Sequence, residues 1–208
     1  MSIEGSKTYI AGRLSGEDWK RLKEKLAIGG EQEAWASAYE DYFLQRLKLR
    51  YLDPIKVLDH QGAWEGEGFS IVSIQCALIE FLSATRRGEK YRFLKRGETL
   101  GPHEYSSSSA LFQDFLSSVP PFSSTFDDAS AKEFYQSIRC ALLHEARTRN
   151  GWRLWVSGTR PIDLIQKIVY RKALQAAISL YLEDYGTAIL SDPALQAAFI
   201  RKFDDLAD

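Results

Sequence analysis

The chain has 208 residues, 45% hydrophobic and 26% charged, with 27 Lys plus Arg against 28 Asp plus Glu and a net charge of −1. These values describe a globular chain long enough to bury a core without metals or disulfides, and they exclude disordered, collagen-like and low-complexity proteins. Global charge gives no pull toward nucleic acid or membrane, so either role must rest on a local patch.

The opening stretch MSIEGSKTYIAGRL has no basic region followed by an apolar run, so no signal peptide is expected. Ser15 is placed to cap a short helix through Ala27, with Glu17 and Asp18 in its first turn. Gly29 and Gly30 stop it. A longer helix starts near Glu31, with Trp35, Tyr39, Tyr42, Phe43 and Leu47 at three- and four-residue spacing. Pro54 kinks, ends or restarts that helix. Residues 61–68 hold three glycines and read as a loop. Ser70 then caps an apolar helix carrying Ile71, Ile74, Leu78, Phe81 and Leu82, which ends near Arg86, Arg87 and Gly88. Its apolar part, residues 69–82, is interrupted by Ser70, Ser73, Gln75 and Glu80 and is too short to span a bilayer.

Residues 88–104 read as irregular. A short helix follows from the serines at 106–109 to about Leu116, broken by Pro120 and Pro121. Asp127 or Asp128 caps the next helix, which continues to about Arg149, and Asn150-Gly151 marks a turn. Residues 152–156 alternate as one short strand, with a weaker partner near 160–162. Asp163 reads as the cap of a long helix to about Tyr185, with Ile165, Val169, Ala173, Ala177 and Tyr181 along one face. Asp192-Pro193 opens the last helix. The expectation is a mostly α fold, a helical bundle with a short strand or hairpin after the helix at 131–149. Residues 1–60 are expected to pack as N-terminal helices on a bundle formed by residues 61–208, one compact domain overall.

The helix at 131–149, AKEFYQSIRCALLHEARTR, carries the most informative pattern. At 100° per residue, Phe134, Tyr135, Ile138, Leu142 and Ala146 fall in an arc of about 120°, the core stripe of a bundle helix. Arg139 lies at its edge, and Leu143, Cys140, Arg147 and His144 continue away from it. This second face mixes cations, an exposed leucine, a thiol and a histidine. One reading is an ordinary solvated face; the other is a face that meets a partner chain and holds a site.

The segment Arg139-Cys140-Ala141-Leu142-Leu143-His144 fits R-x4-H and resembles the signature of HEPN domains. The wider string FYQSIRCALLHEARTRNGW is similar to a bacterial HEPN-type family in which a strand follows the motif helix; the resemblance covers about residues 69–185. Many active members carry a polar residue directly after the arginine, where this chain has Cys140. The resemblance implies metal-independent RNA cleavage in a cleft between two subunits, with Arg139 and His144 as catalytic residues. RNA brings its own nucleophile, the 2′-hydroxyl. Histidine titrates near neutrality and suits proton transfer. Arginine offers a fixed cation and a donor fork to phosphate oxygens.

The spacing itself argues for two chains. Five residues along a helix separate Arg139 and His144 by about 140° and about 7.5 Å of rise, so a twofold pair of helices brings the two types of side chain to one phosphate more readily than one helix does. Leu143 and Cys140 are then interface residues, and Arg147 and Arg149 contact flanking RNA phosphates. A second basic run, Arg86, Arg87, Lys90, Arg92, Lys95 and Arg96, interleaved with Tyr91 and Phe93, is a further RNA-contact candidate, with Arg92 and Lys95 its leading residues. Its alternative is a solvated loop.

No cofactor and no metal are expected. His60, His103 and His144 lie in separate segments without HExxH or Cys/His spacing. No G-x-S-x-G surrounds Ser106–Ser109, and no glycine-rich phosphate loop is present. Cys76 and Cys140, both in apolar helical stretches, read as thiols of a reducing compartment, and a cytoplasmic location without membrane association is the expectation. Two functions stay open: a HEPN-like endoribonuclease, homodimeric and set in a defence or toxin–antitoxin context with an antitoxin or other protein partner, and a non-catalytic HEPN-like helical module that binds a partner protein or RNA.

Overall fold

The computed structural model describes residues 8–60 and 66–208. The N-terminal stretch 1–7 and most of the loop expected at 61–68 lie outside the described residues. The chain is mostly helical. In order it forms β1 (Tyr9–Ala11), β2 (Leu14–Ser15), α1 (Gly16–Lys23), α2 (Gln32–Ala38), α3 (Gln45–Leu47), α4 (Asp53–His60), α5 (Glu67–Arg87), β3 (Lys90–Tyr91), β4 (Glu104–Tyr105) and α6 (Ser108–Ser118). It continues with α7 (Asp128–Phe134), α8 (Ala141–Glu145), β5 (Arg153–Trp155), β6 (Ile162–Asp163), β7 (Ile168–Tyr170), α9 (Arg171–Ala188) and α10 (Pro193–Ala207). Three π-helical turns, Tyr39–Leu44, Lys48–Leu52 and Tyr135–Cys140, link α2 to α3, α3 to α4 and α7 to α8.

The described chain divides into two units, and the division does not follow the expected boundary at residue 60. The first comprises Met1–Leu52, Ala84–Tyr105 and Tyr185–Asp208; the second comprises Asp53–Ser83 and Ser106–Asp184. Helices α5 and α9 each contribute to both.

The first unit is organised by aromatic rings. Trp19, Trp35, Tyr42, Phe43, Tyr185, Phe199 and Phe203 are buried. Phe199 and Phe203 stack at 4.5 Å, Trp19 lies 5.2 Å from Phe203, and Phe43 lies 5.1 Å from Tyr185. Each indole keeps its N–H satisfied: Trp19 Nε1 donates to Asp204 Oδ1 and Trp35 Nε1 to the Ala27 carbonyl. The expected face of Trp35, Tyr39, Tyr42, Phe43 and Leu47 is the buried face. Ser15 caps α1 in a reciprocal capping box with Asp18, and α1 ends at Lys23, short of Ala27. Pro54 does not end the helical stretch. It is the second residue of α4, directly after a π-helical turn. Gly88 closes α5 at φ 65°, and a Cβ there would come within 2.6 Å of the Ala198 carbonyl oxygen, so only glycine fits.

The second unit is packed around α5, α6, α7 and α9. Leu78, Ile79 and Leu82 of α5, Leu111, Phe112 and Phe115 of α6, Phe134, Ile138, and Leu174 and Ile178 of α9 are all buried. Phe112 stacks on Phe134, and Phe115 meets Tyr181 edge-on at 5.0 Å. Asp127 caps α7 through a capping box with Ser130.

Two expected helices are shorter than the sequence pattern suggests. The helix expected to reach Arg149 ends at Glu145, because Ala146 takes a left-handed conformation, φ 52°; Ala146 is exposed and leaves the core stripe. The helix expected from Asp163 starts only at Arg171. Residues 162–170 form a hairpin instead, β6 antiparallel to β7, and β7 also pairs in parallel with β5, giving the order β5-β7-β6. Asp163 Oδ1 accepts from the N–H groups of Ile165 and Gln166, which is a turn rather than a helix cap. Lys167 at φ 53° completes it. The β-branched Ile168 and Val169 are buried in the strand, while Ile165, assigned to the helix core, is 96% exposed at the tip.

Helix α5 is also longer than expected. Taken whole, its 21 residues are long and apolar enough by length and composition alone to cross a membrane, and 56% of its most apolar window is buried in the fold. Several of its polar groups are nevertheless engaged within the second unit. Gln75 Nε2 donates to the Arg171 carbonyl at 2.9 Å, Ser83 Oγ donates to the Leu111 carbonyl at 2.8 Å, and Glu80 pairs with Arg139.

Candidate active site

The R-x4-H segment lies where a π-helical turn passes into α8. Phe134, Ile138 and Leu142 are buried and anchor it. The π-helical turn is a local widening of the helix, a feature found often at functional sites. It carries Tyr135, Arg139 and Cys140.

Arg139 is held from two sides. Its Nη2 donates to Glu80 Oε2 of α5 at 2.8 Å, and its guanidinium carbon sits 5.5 Å from the centre of the Tyr135 ring. Both partners of the ion pair are about one-fifth exposed, at 19% and 20%. Burial works against the charge of Arg139, but the hydrogen bond and the charge of Glu80 outweigh it and hold the guanidinium above its ordinary value. One donor of five is committed to Glu80. Tyr135 shares a 3.2 Å hydrogen bond with Ser108 Oγ, and burial raises its phenol. Cys140, half-buried, is a free thiol; Cys76, on α5, is buried, which pushes its thiol up to about 12.

His144 is exposed on α8, beside Leu143, which is 63% exposed. No hydrogen bond joins His144 to Arg139 among the described residues. Arg147 and Arg149, expected on the helix, lie in the loop after it. Arg147 Nε donates to Glu145 Oε2 at 2.7 Å, and Arg149 donates to the same carboxylate through Nη2 and Nε. The loop is tied down by the Arg149 N–H, which donates to the Ser137 carbonyl, and by Asn150 Nδ2, which donates to Ser137 Oγ. Trp152 Nε1 donates to Glu133 Oε1 at 2.9 Å.

Arg92 and Lys95 belong to the first unit, whereas Arg139, Cys140, Leu143, His144, Arg147 and Arg149 belong to the second. The 88–104 stretch is largely irregular, with β3 paired in parallel to β4. Arg92 is paired with Glu104 at 3.0 Å and with Glu98 at 3.4 Å. Lys95 is exposed, and Tyr91 and Phe93 present their rings to solvent.

The sequence reading missed Glu80 and Tyr135 as members of this cluster. Glu80 had a signal: it is an acidic residue inside an apolar helix, and such a group needs a partner. Which partner it takes depends on how two helices 59 residues apart come together. Among the described residues no group of three His, Cys, Asp or Glu side chains is placed to hold a metal ion. Comparison of the chain with protein-family models, with curated proteins and with solved structures found no match.

Proposed function

We propose that the chain is a HEPN-like, metal-independent endoribonuclease built on a helical bundle, acting as a cytoplasmic homodimer, with an antitoxin or another protein as regulatory partner. The observation that carries this reading is the contrast between the two motif residues. Arg139 is oriented by Glu80 and Tyr135 with most of its donor fork uncommitted among the described residues, while His144 and Leu143 stand exposed at the end of the same helix. In this reaction the 2′-oxygen attacks the adjacent phosphorus and the bond to the 5′-oxygen breaks. His144 takes the 2′-hydroxyl proton and delivers it to the leaving 5′-oxygen, beside Arg139 of the other chain. Arg139 neutralises the charge that builds on the phosphorane. Arg147, Arg149, Arg92 and Lys95 are the proposed RNA-backbone contacts, and Leu143 and Cys140 the proposed interface.

The test is a product-end analysis in excess EDTA. Single-stranded RNA is expected to yield 2′,3′-cyclic phosphate and 5′-hydroxyl ends, and DNA to stay intact. His144→Ala should slow cleavage about 10²–10⁴-fold and Arg139→Ala about 10²–10³-fold. Cleavage unaffected by His144→Ala would discard the assignment.

A second reading, a non-catalytic HEPN-like module that binds protein or RNA, is favoured by one observation. The cations nearest His144 in the chain are each paired with a carboxylate, Arg139 with Glu80 and both Arg147 and Arg149 with Glu145. Wild type that does not cleave in the same assay selects it.

A further inference from the structure

Away from the motif helix, the second unit holds a buried polar side chain with unused hydrogen-bonding capacity. Arg171, the first residue of α9, has a side chain only 7% exposed. Its Nη1 donates to Glu67 Oε1 at 3.1 Å and its Nη2 lies 3.4 Å from Asp59 Oδ1, but its buried Nε donates to no acceptor among the described residues. A buried donor left unpaired is costly, so an acceptor that reaches it is favoured.

Arg171 lines a cleft of about 270 Å³ between the first turn of α5 and the end of β5. Phe69, Leu154, Trp155 and Val156 supply its apolar lining, and Phe69, Trp155 and Val156 are all exposed. The volume is at the low end for small-molecule sites and suits one bulky side chain. Strand β5 is the outer strand of its sheet: it pairs with β7 and with no other described strand. The charges around the cleft cancel, since Arg171 and Lys172 face Glu67 and Asp59, with Lys172 Nζ 3.5 Å from Asp59. Charge balance therefore selects neither anion nor cation. The free donor calls for a neutral acceptor, and the exposed rings call for an apolar group.

An extended peptide supplies both, and the outer edge of β5 supplies backbone pairing at Leu154, the Trp152 N–H and carbonyl and the Val156 carbonyl being already bonded. We propose that this cleft binds an extended, uncharged segment of a partner protein, which adds a strand to the free edge of β5, seats one bulky apolar side chain against Phe69 and Trp155, and accepts a hydrogen bond from Arg171 through a carbonyl. This proposal is independent of the ribonuclease reading.

The experiment titrates the blocked peptide Ac-Thr-Val-Phe-Val-Thr-NH₂ into the ¹⁵N-labelled full chain and follows the amide resonances. Saturable shifts confined to residues 153–156 and 67–70 are expected. Trp155→Ala, at an exposed position, and Arg171→Lys, which keeps the charge and lacks Nε, should each weaken binding about tenfold or more, with thermal melts confirming that each variant folds. The same peptide N-methylated on alternate amides should also bind about tenfold more weakly. No saturable shift up to about 1 mM peptide, shifts elsewhere only, or equal affinity for Trp155→Ala would overturn the proposal. So would N-acetylphenylalanine amide binding as tightly as the peptide, which would mark a small-molecule pocket rather than a strand edge.

Discussion

Single carboxylates do much of the local organisation in this chain, and their chemistry makes stability depend on acid. Asp18 is held well below the usual carboxylate range by the hydrogen bonds of Ser15, and Asp127 is lowered by those of Ser130. Glu104 is lowered by the N–H of Gly101 and then by Arg92. A group whose folded pKa is depressed stabilises the fold above its unfolded value, about 3.9 for Asp and about 4.3 for Glu, and loses that contribution as pH falls through the folded value. These groups therefore leave the melting temperature flat from neutral pH down to about pH 5, and it should fall below about pH 4. Asp127→Asn keeps an N-cap acceptor and removes one titration. Its melting temperature, measured across the same range, is expected to fall less steeply than wild type. An unchanged slope would mean that Asp127 carries none of the acid sensitivity.

At the scale of elements, the parts of the fold legible in the sequence are those written in local chemistry. Ser15, Asp127 and Asp192 each accept from the backbone N–H groups that a helix start leaves open, and that need is met within three residues. The stretch 163–170 was illegible because two patterns overlap there. Ile165, Val169, Ala173, Ala177 and Tyr181 repeat at four residues, yet Asp163 makes a turn, and Ile168 and Val169 pair with β6 across that turn and with β5 on their other side. Strand pairing overrode helical periodicity. The candidate site divides in the same way. Arg139 and His144 were visible as a spacing, whereas Glu80 and Tyr135 joined Arg139 only through the packing of α5 and a π-helical turn. The hairpin makes a direct prediction. Because Ile165 stands at an exposed tip, Ile165→Asp should change the free energy of unfolding in urea by no more than about 0.5 kcal/mol. A buried helical isoleucine truncated at that position would instead cost about 2–5 kcal/mol.

At the scale of the whole molecule, the proposed chemistry makes a demand that one chain does not meet by itself. Arg139 turns to Glu80 of its own chain and His144 stands in solvent, with no hydrogen bond between them among the described residues. A twofold cleft built from two motif helices contains two arginines and two histidines. Leu143, exposed between the motif residues, is the apolar group available to the seam. An isolated exposed leucine is ordinary, but across a twofold axis it is buried twice, at about 1.5–3 kcal/mol each. Leu143→Asp should therefore shift sedimentation toward monomer and remove cleavage together. The sharper test is complementation. His144→Ala and Arg139→Ala proteins, each slowed about a hundredfold or more alone, form mixed dimers on subunit exchange, about half of all dimers in an equal mixture. Each mixed cleft keeps one intact arginine and one intact histidine, from opposite chains, so cleavage should return on mixing and scale with the fraction of mixed dimer. Two variants that stay slow after verified subunit exchange would show that Arg139 and His144 of different chains do not share a site, and the twofold mechanism would fall with that result.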